Sequence, residues 1–304
     1  MEIFLFLLCA GFIVWLGKRE NRNKSSVKEH EALILAADKE GDSGPLRERL
    51  YQYEDMHHIN EETHIKVRKG MYRRMANNGE PYGLLQMGWD AYQKEDYAEA
   101  EKLWIKAAEG GSLEAMQALG HNYSSWGKFP TQEEKAFQWF FKAAQMGYVK
   151  AMSLVASAYA GGNGVKKDID KNIYWLKRGF ASGDPGCGLD LAREYASPVS
   201  PYMDENAAVR VLEKVMDMGD EDAFAAAAMQ LGYIYGAPYL FEGQGEKPLA
   251  NRRKAAYCFM LAYARGDGNK YALENLKKIN YPFSEAERRE WLEDAKAMRY
   301  RRDV

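Results

Sequence analysis

Four glycines, Gly111, Gly147, Gly183 and Gly219, stand 36 residues apart, and each closes a segment of the same kind. The first segment ends Lys106-Ala107-Ala108-Glu109-Gly110-Gly111. The second ends Trp139-Phe140-Phe141-Lys142-Ala143-Ala144-Gln145-Met146-Gly147, and the third Trp175-Leu176-Lys177-Arg178-Gly179-Phe180-Ala181-Ser182-Gly183. A sequence period of about 20 to 50 residues marks a stack of supersecondary units. No such unit covers its own apolar face, so neighbouring units must supply the core. That requirement fixes the fold class before any single residue is weighed.

Helix is the element that suits this pattern. Nine prolines in 304 residues leave long stretches free of helix breakers. A composition of 46% hydrophobic and 28% charged residues belongs to a folded chain. The net charge of −2 gives no general attraction to nucleic acid. The three cysteines, Cys9, Cys187 and Cys258, are isolated and lack metal-ligand spacing. They read as small buried residues in a reducing compartment, without a disulfide or zinc role.

Taken in order, the chain opens with MEIFLFLLCAGFIVWL, in which Glu2 is the one charged residue, and Lys18, Arg19, Arg22 and Lys24 follow. A secretory signal carries its positive charge before the apolar run and a small-residue cleavage site after it. The order here is reversed, so residues 1–17 read as an uncleaved membrane anchor, and residues 18–26 as a basic juxtamembrane linker. The cations after the span place the remainder of the chain in the cytoplasm. An atypical export signal, with a periplasmic carboxyl-terminal part, is the competing reading.

Residues 27–79 form a helical amino-terminal cap, ending Arg74-Met75-Ala76-Asn77-Asn78-Gly79 in a loosened copy of the repeat ending. Residues 80–280 hold about five repeats. The first carries Leu84, Leu85, Met87 and Ala91 on its helix A, and Asp96 caps its helix B. The second has Ala115, Leu119-Gly120 and Tyr123, then Thr131-Gln132-Glu133-Glu134 as a capping box. The third has Ala151, Val155, Ala156 and Tyr159, a loop from Gly161 to Asp168, and Trp175 on helix B. The fourth keeps Leu191-Ala192 and Tyr195, with Pro198 and Pro201 in its loop. The fifth has Leu231-Gly232 and Tyr235, followed by an expected long loop from Gly236 to Pro248. Ser284-Glu285-Ala286-Glu287 is a capping box opening the carboxyl-terminal capping helix of residues 281–304.

The combination A-x-x-x-L-G-x-x-Y, then G-x-G-V-x-x-D, then K-A-x-x-W-x-x-K-A-A-x-x-G resembles the Sel-one-like repeat, a relative of the tetratricopeptide repeat. Ala115, Leu119, Gly120, Tyr123, Lys135, Ala136, Trp139, Lys142, Ala143, Ala144 and Gly147 carry it in the second copy. Ala151, Tyr159, Gly162, Gly164, Val165, Asp168, Lys171, Trp175 and Gly183 carry it in the third. The resemblance implies an all-α, right-handed superhelical solenoid of antiparallel helix pairs, acting as a scaffold or adaptor for other proteins. Repeat four departs from it by lacking the glycine loop, and repeat five by its insertion.

Chemistry-bearing patterns are few. The glycine loop Gly161–Gly164 lacks the preceding strand and the G-K-[ST] ending of a phosphate cradle. His57, His58 and His64 lack the H-E-x-x-H spacing of a metal site. Ser25-x-x-Lys28 and Ser125-x-x-Lys128 lack the companion boxes of an S-x-x-K nucleophile. No cofactor, metal, small-molecule substrate or catalytic residue is expected. Partners are other proteins, with the membrane reached through residues 1–17. Groove positions after the L-G pairs offer Trp89, His121, Asn122, Arg193, Glu194 and Tyr233 as partner-binding candidates. A narrower version of the same function is an immunity or antitoxin protein that neutralises a toxin. Reversed topology would instead give a periplasmic cell-envelope scaffold.

Overall fold

The computed structural model describes residues 61–125, 127–240, 251–265 and 270–300. The expected anchor (1–17), the linker (18–26) and residues 27–60 of the expected cap lie outside the described residues. Among the described residues all regular structure is α-helix, in thirteen helices. No helix among them is long and apolar enough to cross a membrane. The chain divides into two compact units, ending and beginning at Gln132 and Glu133.

The first unit holds α1 (Glu61–Asn77), α2 (Pro81–Gln93), α3 (Tyr97–Glu109) and α4 (Leu113–Tyr123), each packed on the next. Pro81 opens α2, where a missing N–H costs nothing. The core is built on Trp104 of α3, which is fully buried. Its Nε1 donates to the Leu85 carbonyl at 3.2 Å, and the rings of Trp89, Tyr92 and Phe129 surround it. The Tyr123 hydroxyl donates to Glu101, and burial together with that carboxylate pushes the phenol pKa up.

The second unit holds α5 (Glu133–Gln145), α6 (Val149–Gly161), α7 (Ile169–Ala181), α8 (Pro185–Ala196) and α9 (Glu205–Met216). It continues with α10 (Glu221–Leu240), α11 (Arg252–Arg265), α12 (Lys270–Ile279) and α13 (Glu285–Lys296). Consecutive helices pack as pairs as far as α12, α8 also packs on α10, and α13 packs on α11.

Three local devices recur and explain why the hairpins repeat. First, an aspartate caps helix B. Asp96, Asp168 and Asp204 accept from the backbone N–H of Glu99, Lys171 and Ala207 at 3.2, 3.0 and 2.9 Å. Second, the backbone N–H of the residue before helix B donates to the carbonyl of the tyrosine that ends the L-G-x-x-Y position of helix A. Asp168 reaches Tyr159, Asp204 reaches Tyr195 and Asn251 reaches Tyr235, at 2.9, 2.8 and 2.9 Å. Third, the closing glycines have positive φ: 94° at Gly111, 90° at Gly147, 92° at Gly183 and 80° at Gly219. No atom lies within 4 Å of where a Cβ would stand at any of them. The backbone conformation alone therefore demands glycine there.

The fifth repeat corrects one expectation. The loop expected from Gly236 begins later, because α10 continues to Leu240. Gly236 is buried, and a Cβ on it would lie 2.9 Å from Ile279 Cδ1 and 3.2 Å from Ala255 Cβ. Packing against α11 and α12 holds this turn helical against the weak helix propensity of glycine.

The carboxyl-terminal helix begins as its sequence indicates. Ser284 Oγ accepts from Glu287 N at 3.1 Å, and the Glu287 carboxylate accepts from Ser284 N at 2.9 Å. Arg253 of α11 donates Nε and Nη2 to Glu287 Oε1, both at 3.1 Å. The Ser284 backbone N–H first, and Arg253 after it, hold the Glu287 pKa below its ordinary value of 4.5. A depressed carboxylate pKa stabilises the fold above the unfolded value, and that contribution disappears as pH falls through the folded value. Glu287→Gln is therefore expected to lower the melting temperature at pH 7. The wild-type and variant curves should converge as the pH falls below the ordinary carboxylate range. Curves that stay parallel through that acid range would contradict this assignment.

Candidate functional site

The helix A residues singled out in the sequence occupy distinct environments. In the first unit Trp89 is 39% exposed, resting edge-on against Trp104 with ring centroids 4.7 Å apart. His121, on α4, is exposed, its Nε2 3.4 Å from Gln117 Nε2. Desolvation lowers the His121 pKa, which favours the neutral ring. In the second unit Arg193 pairs with Asp190 one turn earlier and stays largely in solvent. Glu194 is half-buried. Tyr233 is 37% exposed, and its hydroxyl accepts from Asn275 Nδ2 at 3.1 Å.

Asn122 must be corrected as a surface candidate. It is 6% exposed, and its amide is used inside the fold. Nδ2 donates to the Ala118 carbonyl at 2.9 Å, while Oδ1 accepts from Lys128 N at 3.4 Å. A buried amide with both ends committed closes the loop after α4.

Sequence reasoning passed over two concavities that involve the B helices. One, of about 360 Å³, lies between α7, α8 and α9, lined by Phe180, Tyr195, Arg210, Val211, Glu213 and Lys214. The other, of about 400 Å³, lies in the first unit against Leu84, Met87, Leu103 and Lys106. The signal available for both is a gap in the repeat. The register held by Trp139 and Trp175 holds Leu103 in the first repeat and Val211 in the fourth.

Reactive chemistry finds little support around these surfaces. Cys187 and Cys258 are fully buried, and burial pushes both thiols up, away from the thiolate form. Among the described residues, no three His, Cys, Asp or Glu side chains are grouped to hold a metal ion. His57 and His58 lie outside the described residues, as does the side chain of His64.

Comparison with known proteins gives the repeat its name. The Sel1 repeat matches residues 82–112, 113–148, 149–184 and 225–267. A Sel1 repeat protein from Oxalobacter formigenes has a similar crystal structure, with a TM-score of 0.57 and 21% identity. The match covers 82% of this chain and 99% of that one. A protective antigen present in uropathogenic Escherichia coli strains, displaying an SLR fold, matches with a TM-score of 0.56 and 21% identity. That match covers 90% of this chain and 63% of the other.

Residues 185–224 are left unmatched between the third and fourth Sel1 segments. They nonetheless form the α8–α9 hairpin, with the Asp204 cap, the bond to Tyr195 and the positive-φ Gly219. The fourth repeat thus keeps the geometry although the Sel1 match passes over it. Over residues 82–184 and 225–267 this chain matches the Sel1 repeat, and its described helices take the SLR fold of the α-solenoid class.

Proposed function

We propose that this protein is a membrane-anchored scaffold that binds a protein partner on its helix A faces and performs no reaction of its own. Sel1 repeats generally act as protein-interaction scaffolds. The observation that carries the reading is the repeated exposure of a side chain after the L-G position. Trp89 and His121 occupy it in the first unit, and Arg193 and Tyr233 in the second. An array of equivalent side chains gives a partner several small contacts, and it needs no pocket with perturbed acids or bases.

The anchor rests on sequence alone. The apolar run of residues 1–16 followed by Lys18, Arg19, Arg22 and Lys24 favours a retained span with a cytoplasmic carboxyl-terminal part. Deleting residues 1–17 should move the protein from the membrane pellet to the supernatant. A reporter fused after Val304 that works only outside the cytoplasm would reverse the topology to a periplasmic scaffold.

Crosslinking in native membranes followed by mass spectrometry tests the binding function. One protein should be recovered reproducibly. Its yield should fall by about tenfold when Arg193→Glu and Glu194→Arg are combined. Undiminished recovery would remove that face from the interaction.

A further inference from the structure

The second and third repeats each carry a tryptophan eight residues before the closing glycine, Trp139 and Trp175. A cation three residues later stands over each ring. Lys142 Nζ is 5.4 Å from the Trp139 centroid, and the Arg178 guanidinium carbon is 5.0 Å from that of Trp175. Trp175 is 4% exposed, with Phe141 and Tyr174 meeting it edge-on at 5.7 and 5.5 Å. The indole is thus cation-covered in both repeats, half-buried at Trp139 and buried at Trp175.

In the fourth repeat the same register holds Val211, while the cation is kept as Lys214. The side chain has shrunk, and the 360 Å³ groove opens beside it, with Val211, Lys214, Phe180 and Tyr195 among its lining. The fifth repeat shows how this chain treats such a position. There the register holds Cys258, and an aromatic ring arrives from elsewhere in the chain. Tyr300, beyond α13, stacks on Tyr257 with ring centroids 6.0 Å apart and packs against the core that holds Tyr235 and Cys258. Tyr235 ends the L-G-x-x-Y pattern of that repeat's helix A, and Tyr195 stands at the same position in the fourth.

Charge around the Val211 groove favours a particular occupant. Arg210 and Lys214 line it, and Lys177 Nζ stands 6.0 Å from the centre of the Tyr195 ring. Opposing them are Glu213 on the lining and Asp204, 3.8 Å from Arg210. Cations exceed acids, and they meet the negative face of an aromatic ring favourably. Flanking carboxylates on the incoming segment would complement the excess.

We propose that the Val211 groove receives a tryptophan side chain from a protein partner, set beneath Lys214 and against Phe180 and flanked by acidic residues. The partner completes in trans the indole–cation pair that the second and third repeats make internally. A single deeply seated aromatic anchor is the kind of contact that dominates a protein interface. This inference rests on the scaffold function and names the chemistry of the partner.

Full-length protein in detergent is titrated into a fluorescein-labelled peptide, Asp-Glu-Gly-Trp-Gly-Glu-Asp, and into its Trp-to-Ala analogue. The tryptophan peptide should bind at least about tenfold more tightly. Val211→Trp restores the repeat indole. It should cut that affinity at least about tenfold and raise the melting temperature by about 3 °C. Lys214→Glu, on an exposed side chain, should weaken binding without altering helicity, and it decides the matter if Val211→Trp fails to fold. Equal binding of the two peptides overturns the proposal, as does no binding at about 1 mM or wild-type affinity in a folded Val211→Trp protein. A partner still crosslinked to Val211→Trp protein in membranes would leave the scaffold standing and eliminate this groove alone.

Discussion

Trp291→Ala is expected to lower the stability of the second unit by about 3 to 5 kcal/mol, the usual cost of emptying a buried tryptophan site. Trp291 is 1% exposed and carries α13 onto α11. Tyr257 meets it edge-on at 5.5 Å, while Tyr281 and Phe283 lie at 6.2 and 5.8 Å. The same junction seals a charged group. Asp294 is fully buried, accepts from the Tyr257 hydroxyl at 3.2 Å and lies 3.6 Å from Arg299 Nε. Removing the indole admits water to that carboxylate as well as opening a cavity. Urea unfolding followed by circular dichroism measures the loss. A change below about 1 kcal/mol would mean that α13 is held by something other than its aromatic seat.

Gly179→Val should cost about 3 kcal/mol, at the upper end for overpacking a close contact. A Cβ at Gly179 of α7 would lie 2.4 Å from Cys187 Sγ and 3.1 Å from Cys187 Cβ on α8, and 3.5 Å from Met152 Cβ on α6. Valine improves helix propensity over glycine by only a few tenths of a kcal/mol, so the clash wins. Cys187→Ala removes the sulfur and should restore part of the loss. The coupling energy from the double-mutant cycle separates contact from propensity, because propensity effects add and steric ones do not. Strict additivity of the two substitutions would show that the α7–α8 approach is not the cause.

The sequence made the repeat legible wherever the backbone itself imposes a residue. A left-handed turn demands glycine, so Gly111, Gly147, Gly183 and Gly219 reveal the period and the helix ends together. The Ser284 capping box was equally readable, because its reciprocal bonds span only three residues. What escaped depends on contacts that only the folded chain makes. Asn122 looked like a surface residue until Ala118 and Lys128 were seen to take both ends of its amide. The helical extension through Gly236 is imposed by Ile279 and Ala255, which no local rule can supply.

The candidate surface was legible only as a register. Counting from the L-G pairs located Trp89, His121, Arg193 and Tyr233, but not whether each side chain is committed elsewhere. The groove at Val211 is written as a missing residue rather than a present one. It becomes visible when Trp139 and Trp175 are used as the reference and Lys214 is recognised as the cation left behind.

The bond from the residue before helix B to the repeat-position tyrosine of helix A has an evolutionary consequence. Because Asp168, Asp204 and Asn251 all make it, two points flanking each of these connections stay pinned while the residues between them differ in number and kind. Such connections act as interchangeable inserts on a constant frame. A lineage can rewrite what one hairpin displays, proline-rich here and glycine-rich there, without disturbing the layers above or below it.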